Sequence, residues 1–183
     1  MTIKLVLTIF TGVLMAAACG GGSPAPETST GASAAQGAAP QVTFTAADLE
    51  QFERGLSREI EAVKAAQKRQ SAATTAQERG AAMQAQFEIA TIPAGAEASG
   101  FAEARYREIR DRVDRVLTIL DFQDKIDGPL SVDLARADPE TKRRVAGDAF
   151  AELPSDAAAA LRARMDRLVP LWIEYKKLVA VAG

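Results

Sequence analysis

Two kinds of side chain in this sequence could do chemistry, a lone thiol and a supply of carboxylates. Cys19 is the single cysteine among 183 residues, and the chain has no histidine. Without imidazole there is no His-based triad, no imidazole metal site, no axial haem histidine and no histidine pH switch. With Cys19 alone near the N-terminus, no thiolate cluster can form. The remaining metal chemistry is an oxygen cage for Ca²⁺ or Mg²⁺. Asp121, Asp124 and Asp127, ahead of Gly128, come nearest to one. Steps of three put these carboxylates roughly on one helix face, which would give a weak cation contact. They lack the alternating ligands and later Glu of an EF-hand loop, and the simpler reading is a solvated helix end. Acid–base hydrolysis by two carboxylates is open by residue type. Helical periodicity, however, puts all the carboxylates on exposed faces, so no catalytic residue is expected.

The basic residues also read as surface. Arg105, Arg107, Arg110, Arg112 and Arg115 stand among Glu103, Glu108, Asp111 and Asp114. Five cations against four anions describe a salt-paired exposed face. Arg162, Arg164 and Arg167 with Asp166 read the same way. The net charge of -2 makes no case for nucleic acid. Tyr106, Trp172 and Tyr175 fall on apolar stripes. They are core residues on one reading and the lining of a groove opened by Pro170 on the other. Their polar tips place them at the rim of the core.

Cys19 gains meaning from what precedes it. Lys4 is the only charge before it, Leu5 to Met15 is mostly apolar, and Ala16-Ala17-Ala18 are small. This is the make-up of a secretory signal peptide. The apolar run is shorter than the roughly 20 residues of a membrane span. The stretch resembles a bacterial lipoprotein signal, whose lipobox is Leu-small-small-Cys. The match is Ala16-Ala17-Ala18-Cys19, with Ala where Leu is usual. The resemblance implies cleavage before Cys19, lipidation of its thiol with palmitate-type chains, and attachment to a membrane of the cell envelope. Gly20 in place of Asp implies sorting to the outer membrane, facing the periplasm, in a host with two membranes. Ala16-Ala17-Ala18 also reads as A-x-A, which the ordinary signal peptidase would cut to leave a free thiol. An unpaired thiol in an oxidising compartment invites unwanted pairing, which acylation removes.

Three regions follow: a cleaved signal over 1–18, a lipidated Cys with a linker over 19–43, and a helical domain over 44–183. The linker is rich in Gly, Ser, Pro and Ala and reads as a flexible tether. Its residues 20–43 give a root-mean-square reach on the order of 27 Å. The domain is expected to be all-α, a bundle of four to five antiparallel helices. Hydrophobic residues are 48% of the chain but aromatics only 5%, and alanine carries much of the difference. Such a composition favours helix.

The spacing predicts helices at about 45–70, 76–92, 102–127, 139–152 and 156–181. Thr45 with Asp48, and Thr75 with Glu78, make capping boxes, and Asp138-Pro139 makes a start signal. Stripes run Leu49, Phe52, Leu56, Ile60, Val63; then Met83, Phe87, Ala90; then Tyr106, Ile109, Val113, Val116, Leu120; and last Leu161, Met165, Leu168, Trp172, Tyr175, Val179. Pro93 is expected to end or kink the second helix, and Gly128-Pro129 to stop the third. Pro170 is expected to kink the last by removing its bond to Asp166. Glu103–Arg107, Glu108–Arg112 and Asp111–Arg115 are i,i+4 pairs. The function expected is that of a non-enzymatic envelope lipoprotein that binds or braces a partner. The alternative is a periplasmic holdase or apolar-ligand carrier using a groove near Pro170. No cofactor is expected. The partners expected are the membrane, through the lipid, and an envelope protein.

Overall fold

The helix starts predicted at Thr45, Thr75 and Asp138 are formed by those caps. In a computed structural model describing residues 42–129 and 137–180, the Asp48 amide donates to Thr45 Oγ1 at 3.2 Å. The Thr45 amide donates to Asp48 Oδ2 at 2.8 Å. This box opens α1, Ala46–Ala72, with Phe44 and Leu49 buried across its first turn. Thr75 and Glu78 open α2, Ala76–Gln84, in the same way. Asp138 accepts from the amides of Glu140 and Thr141 at the start of α5, Pro139–Val145. The other helices are α3 (Glu88–Ser99), α4 (Glu103–Phe122), α6 (Ser155–Arg162) and α7 (Met165–Ala180). The described residues form no strand, and the fold is all-α.

Seven described helices stand where five were expected, because two divide. The second breaks at residues 85–87. There the buried Gln86 turns inward and donates to Gln70 Oε1 at 2.6 Å and to the Ala82 carbonyl at 3.2 Å. Tight backbone bonds, Gln86 N to Met83 O and Phe87 N to Gln84 O, replace the α pattern. Pro93 does not end the helix that follows but sits inside α3. The carbonyl left without a helical donor belongs to Ile89, a first-turn residue that is 76% exposed, so water can serve it. The expected stripe of Met83, Phe87 and Ala90 therefore points outward, and Ile92 and Ala96 supply the buried side. Gly100 ends α3 with φ 80°, and the Phe101 amide reaches back to the Ala96 carbonyl at 3.2 Å.

The third predicted helix stops at Phe122, before Gly128. Asp124 takes the left-handed conformation at φ 54°, and the Lys125 amide bonds the Leu120 carbonyl at 2.9 Å. Aspartate tolerates that conformation better than most side chains do, so no glycine is needed. The last predicted helix breaks at Ala163–Arg164, upstream of Pro170. Arg164 is held there by Glu50 and Glu53 of α1. Pro170 stays within α7, and the carbonyl it leaves bare is on exposed Asp166. The sequence expects 139–152 as one short helix, but α5 ends at Val145. Residues 130–136 of the connection lie outside those described.

The core forms around α1. Leu49, Phe52, Leu56, Ile60 and Val63 meet Tyr106, Ile109, Val113, Val116, Leu117 and Leu120 of α4, with Leu161, Leu168, Trp172 and Tyr175 closing the far side. Those stripes are the ones the spacing predicts. Chain direction follows from cross-helix pairs. Gly55 meets Gly95, Glu59 meets Thr91 and Gln70 meets Gln86, so α3 runs antiparallel to α1. Glu53 meets Arg164, Lys64 meets Glu174 at 2.5 Å and Gln67 meets Leu178, so α7 runs in the same direction as α1. The long connection carrying α5 and α6 makes that arrangement reachable. On α4, Glu103–Arg107 forms at 2.7 Å, but Glu108 pairs with Arg105 instead of Arg112. Arg112 and Arg115 both turn to Glu152, at 3.4 and 2.8 Å.

Candidate functional site

A carboxylate at the centre of the bundle is the feature that the sequence reading missed. Glu59 lies on the buried face of α1 between Leu56 and Val63, and none of its surface reaches solvent. Its Oε1 accepts from the Tyr106 hydroxyl at 2.7 Å and from Arg110 Nε at 3.0 Å. Its Oε2 accepts from Thr91 Oγ1 at 2.8 Å. Arg110 is itself buried. Its Nη2 reaches Glu88 Oε1 at 3.1 Å, and its guanidinium lies 5.1 Å from the centre of the Tyr175 ring. Thus α1, α3, α4 and α7 each contribute a group to one polar knot. The helices can approach closely because Gly55 and Gly95 carry no side chains where the Tyr106 ring lies. The expectation that all carboxylates are exposed fails at Glu53, Glu59 and Asp121, which are buried. The arginine row of α4 likewise is not wholly surface, since Arg110 turns inward.

A buried ion is tolerable only when paired and hydrogen-bonded. Three donors at Glu59 meet that condition. Burial pushes the Tyr106 hydroxyl's pKa up, and the Glu59 carboxylate beside it pushes it further. For Arg110, burial opposes the charge, but Glu59, Tyr175 and Glu88 outweigh it and raise the guanidinium above its usual value. Tyr175, chiefly through burial, is pushed up to about 12. The consequence for stability has a definite sign. Below pH 10 both tyrosines are protonated in the folded and unfolded chain alike. Above it the unfolded chain loses these protons and the native one keeps them, so stability falls as pH rises from about 10 to 12. The slope is about 1.4 kcal/mol per pH unit for each tyrosine involved. The chain has just two tyrosines, so tyrosinate absorbance isolates them. No absorbance step is expected at pH 10, and ionisation should coincide with loss of helical circular dichroism. Half-titration near pH 10 with the helices intact would contradict this.

The residues singled out from sequence fall as follows. Tyr106, Trp172 and Tyr175 are all buried. Trp172 Nε1 donates to Asp114 Oδ1 at 2.8 Å, and Lys176 bridges to the same carboxylate at 2.7 Å. A groove of about 490 Å³ does lie beside Pro170, lined by Gln67, Ile173, Glu174, Lys177 and Leu178. The three aromatics are not among its walls. Asp121, Asp124 and Asp127 do not gather on one face. Asp121 turns inward and accepts from the Gly128 amide at 3.0 Å, while the other two are exposed. Among the described residues, no group of three acidic or sulfur ligands could hold a metal ion. Cys19, the signal over 1–18 and the linker lie outside those described, except for the linker's last two residues. No described helix is long and apolar enough to cross a membrane.

No protein-family model, curated protein or solved structure matches the chain. Function must therefore be argued from the arrangement itself. A general acid or base must reach its substrate. Glu59 is closed off, and the grooves beside Pro170, between α4 and α5, and along Glu53 are lined by other side chains. Glu53 is the more open carboxylate, and burial pushes its pKa up, with Arg167 opposing and Asp166 adding to the rise. Arg164 Nη1 holds it at 3.4 Å and Arg167 Nη2 lies at 3.9 Å. This arrangement anchors the α6–α7 break to α1. Both clusters act as clasps between helices.

Proposed function

We propose that this chain is an exported, lipid-anchored protein of the cell envelope whose helical domain works by binding or bracing, without turnover. The observation that carries the reading is the use made of the buried polar groups. Glu59 and Arg110 are spent on each other and on neighbouring helices, and a domain built that way is suited to hold a shape. The anchor rests on the signal-like segment and on Cys19 at its end. Cys19→Ala should move the protein from the membrane fraction to the soluble one and abolish incorporation of labelled palmitate. Unchanged fractionation would end the lipoprotein claim.

The groove beside Pro170 supports a second reading, that of an apolar-ligand carrier, because Ile173 and Leu178 form part of its wall. Fatty acids should raise the melting temperature on that reading and leave it unchanged on the first.

A further inference from the structure

The outward face of α4 is covered along part of its length, and the cover leaves a hollow. On a helix that turns Tyr106, Ile109, Val113, Val116 and Leu120 to the core, residues 111, 115, 118 and 122 fall on the opposite side, at steps of four, three and four. Asp111 and Arg115 are exposed there, as that position requires, but Phe122 is half-buried. Its cover is α5. Val145 of that helix is buried, and Gln123 donates to the Val145 and Gly147 carbonyls, which pins the end of α5 beside α4. Arg112 and Arg115 reach Glu152 and make a second fastening. A cleft of about 520 Å³ lies between α4 and α5. Small-molecule sites typically enclose about 300–1,000 Å³.

Ile119, Phe122 and Val145 give the cleft an apolar wall, and Asp111, Asp114, Arg115, Thr118 and Glu152 bring polar groups to it. Among the described side chains, the ions around it balance. Asp114 is taken by Trp172 and Lys176, and Glu152 by Arg112 and Arg115. With Asp111, three acids stand against three bases. Such a cleft selects neither a cation nor an anion. It still has hydrogen-bonding capacity to spare. In their pair Glu152 uses only Oε2 and Arg115 only Nη1, and Asp111 and the Thr118 hydroxyl have no partner among the described residues. We propose that the α4–α5 cleft binds a neutral mono- or disaccharide, with the C–H face of a ring on Phe122 and its hydroxyls bonded to Asp111, Arg115, Thr118 and Glu152. A sugar ring is uncharged, has an apolar face, and carries hydroxyls that both donate and accept. An alkyl chain would cover the polar groups without bonding them, which is costly. An amine or a carboxylate would meet as many like charges as opposite ones. The site goes beyond the anchor and the groove beside Pro170 and depends on neither.

The test titrates the isotope-labelled, unlipidated chain, lacking only its signal-like segment, and follows amide shifts by NMR. The neutral probes are glucose and cellobiose. Glucosamine, below the pKa of its amine, and glucuronate put a cation and an anion on the same ring. Shifts should move along 111–122 of α4 and at Thr141 and Val145, and should saturate with the neutral sugars. Both charged sugars should bind several-fold more weakly. Phe122→Ala should weaken binding roughly fivefold and Asp111→Ala roughly tenfold, with helical circular dichroism unchanged. Lys177→Ala, on α7, should change nothing. Tighter binding of glucosamine or of glucuronate than of glucose overturns the proposal, because the cleft would then select charge. So does saturable binding of hexanol at these amides with no response to either neutral sugar. Shifts that lie away from α4 and α5, or none that saturate, overturn it as well. If Phe122→Ala loosens α5, Asp111→Ala decides, since its side chain is exposed, and unchanged affinity in that variant sinks the proposed contact.

Discussion

Arg110→Met should cost about 3–5 kcal/mol of folding free energy, a large part of what a domain of this size possesses. The substitution keeps much of the aliphatic volume and removes the charge. Glu59 then keeps two hydroxyl donors, Tyr106 and Thr91, but loses its counter-ion in a place that water does not reach. The penalty is that of an uncompensated buried ion, greater than the net worth of the pair. The double variant Glu59→Leu, Arg110→Met should consequently be more stable than Arg110→Met alone. It will not regain everything, since the Tyr106 and Thr91 hydroxyls lose their acceptor. Glu88→Ala removes the outer carboxylate, which is about half exposed, and should cost less than about 1 kcal/mol. Urea denaturation of the four proteins checks the order. A loss below about 1 kcal/mol for Arg110→Met would mean that water reaches Glu59 or that the knot is not a clasp.

The knot was partly legible in the sequence. Glu59 is three residues after Leu56 and four before Val63, which puts it on the buried stripe of α1. Arg110 is four after Tyr106 and three before Val113, on the buried stripe of α4. A charge of each sign at a stripe position on two long helices is a signal for a buried pair. The expectation that every carboxylate lies on an exposed face overlooks it. The stripes of α1, α4 and α7 were readable because long helices repeat the apolar spacing often enough to fix a face. The α2–α3 stretch was not. Its stripe had three members, and the tertiary demand of Gln86 for Gln70 outweighed it. The two premature ends share another cause. The end of α4 at Phe122, with Asp124 left-handed just beyond it, and the break at Arg164 are set by one backbone conformation and by partners on α1, which helix periodicity does not encode. The N-terminal caps were legible because a capping box is local, complete within four residues.

One change, glycine to alanine, should have opposite effects at positions the sequence alone treats alike. Alanine is the better helix former by about 0.8–1.0 kcal/mol, so propensity favours the change at Gly55 and at Gly80, both inside helices. At Gly80 nothing lies within 4 Å of the new methyl, and Gly80→Ala should stabilise by up to that amount. At Gly55 the methyl would stand 2.6 Å from the Gly95 carbonyl and clash with the edge of the Tyr106 ring. Neither neighbour can yield. The carbonyl belongs to the backbone of α3, and the ring is fixed by its bond to Glu59 and by Phe52, 5.5 Å away between centroids. Helices α1 and α3 must separate or Tyr106 must leave Glu59. Overpacking of this kind costs about 1–3 kcal/mol, and disturbing the Glu59 knot adds to it. Gly55→Ala should thus lower the melting temperature while Gly80→Ala raises it. Tyr106→Phe in the Gly55→Ala background separates the two contributions, because it removes the hydroxyl and leaves the ring. If the knot is what the methyl disturbs, Tyr106→Phe should cost less in that background than in the native chain.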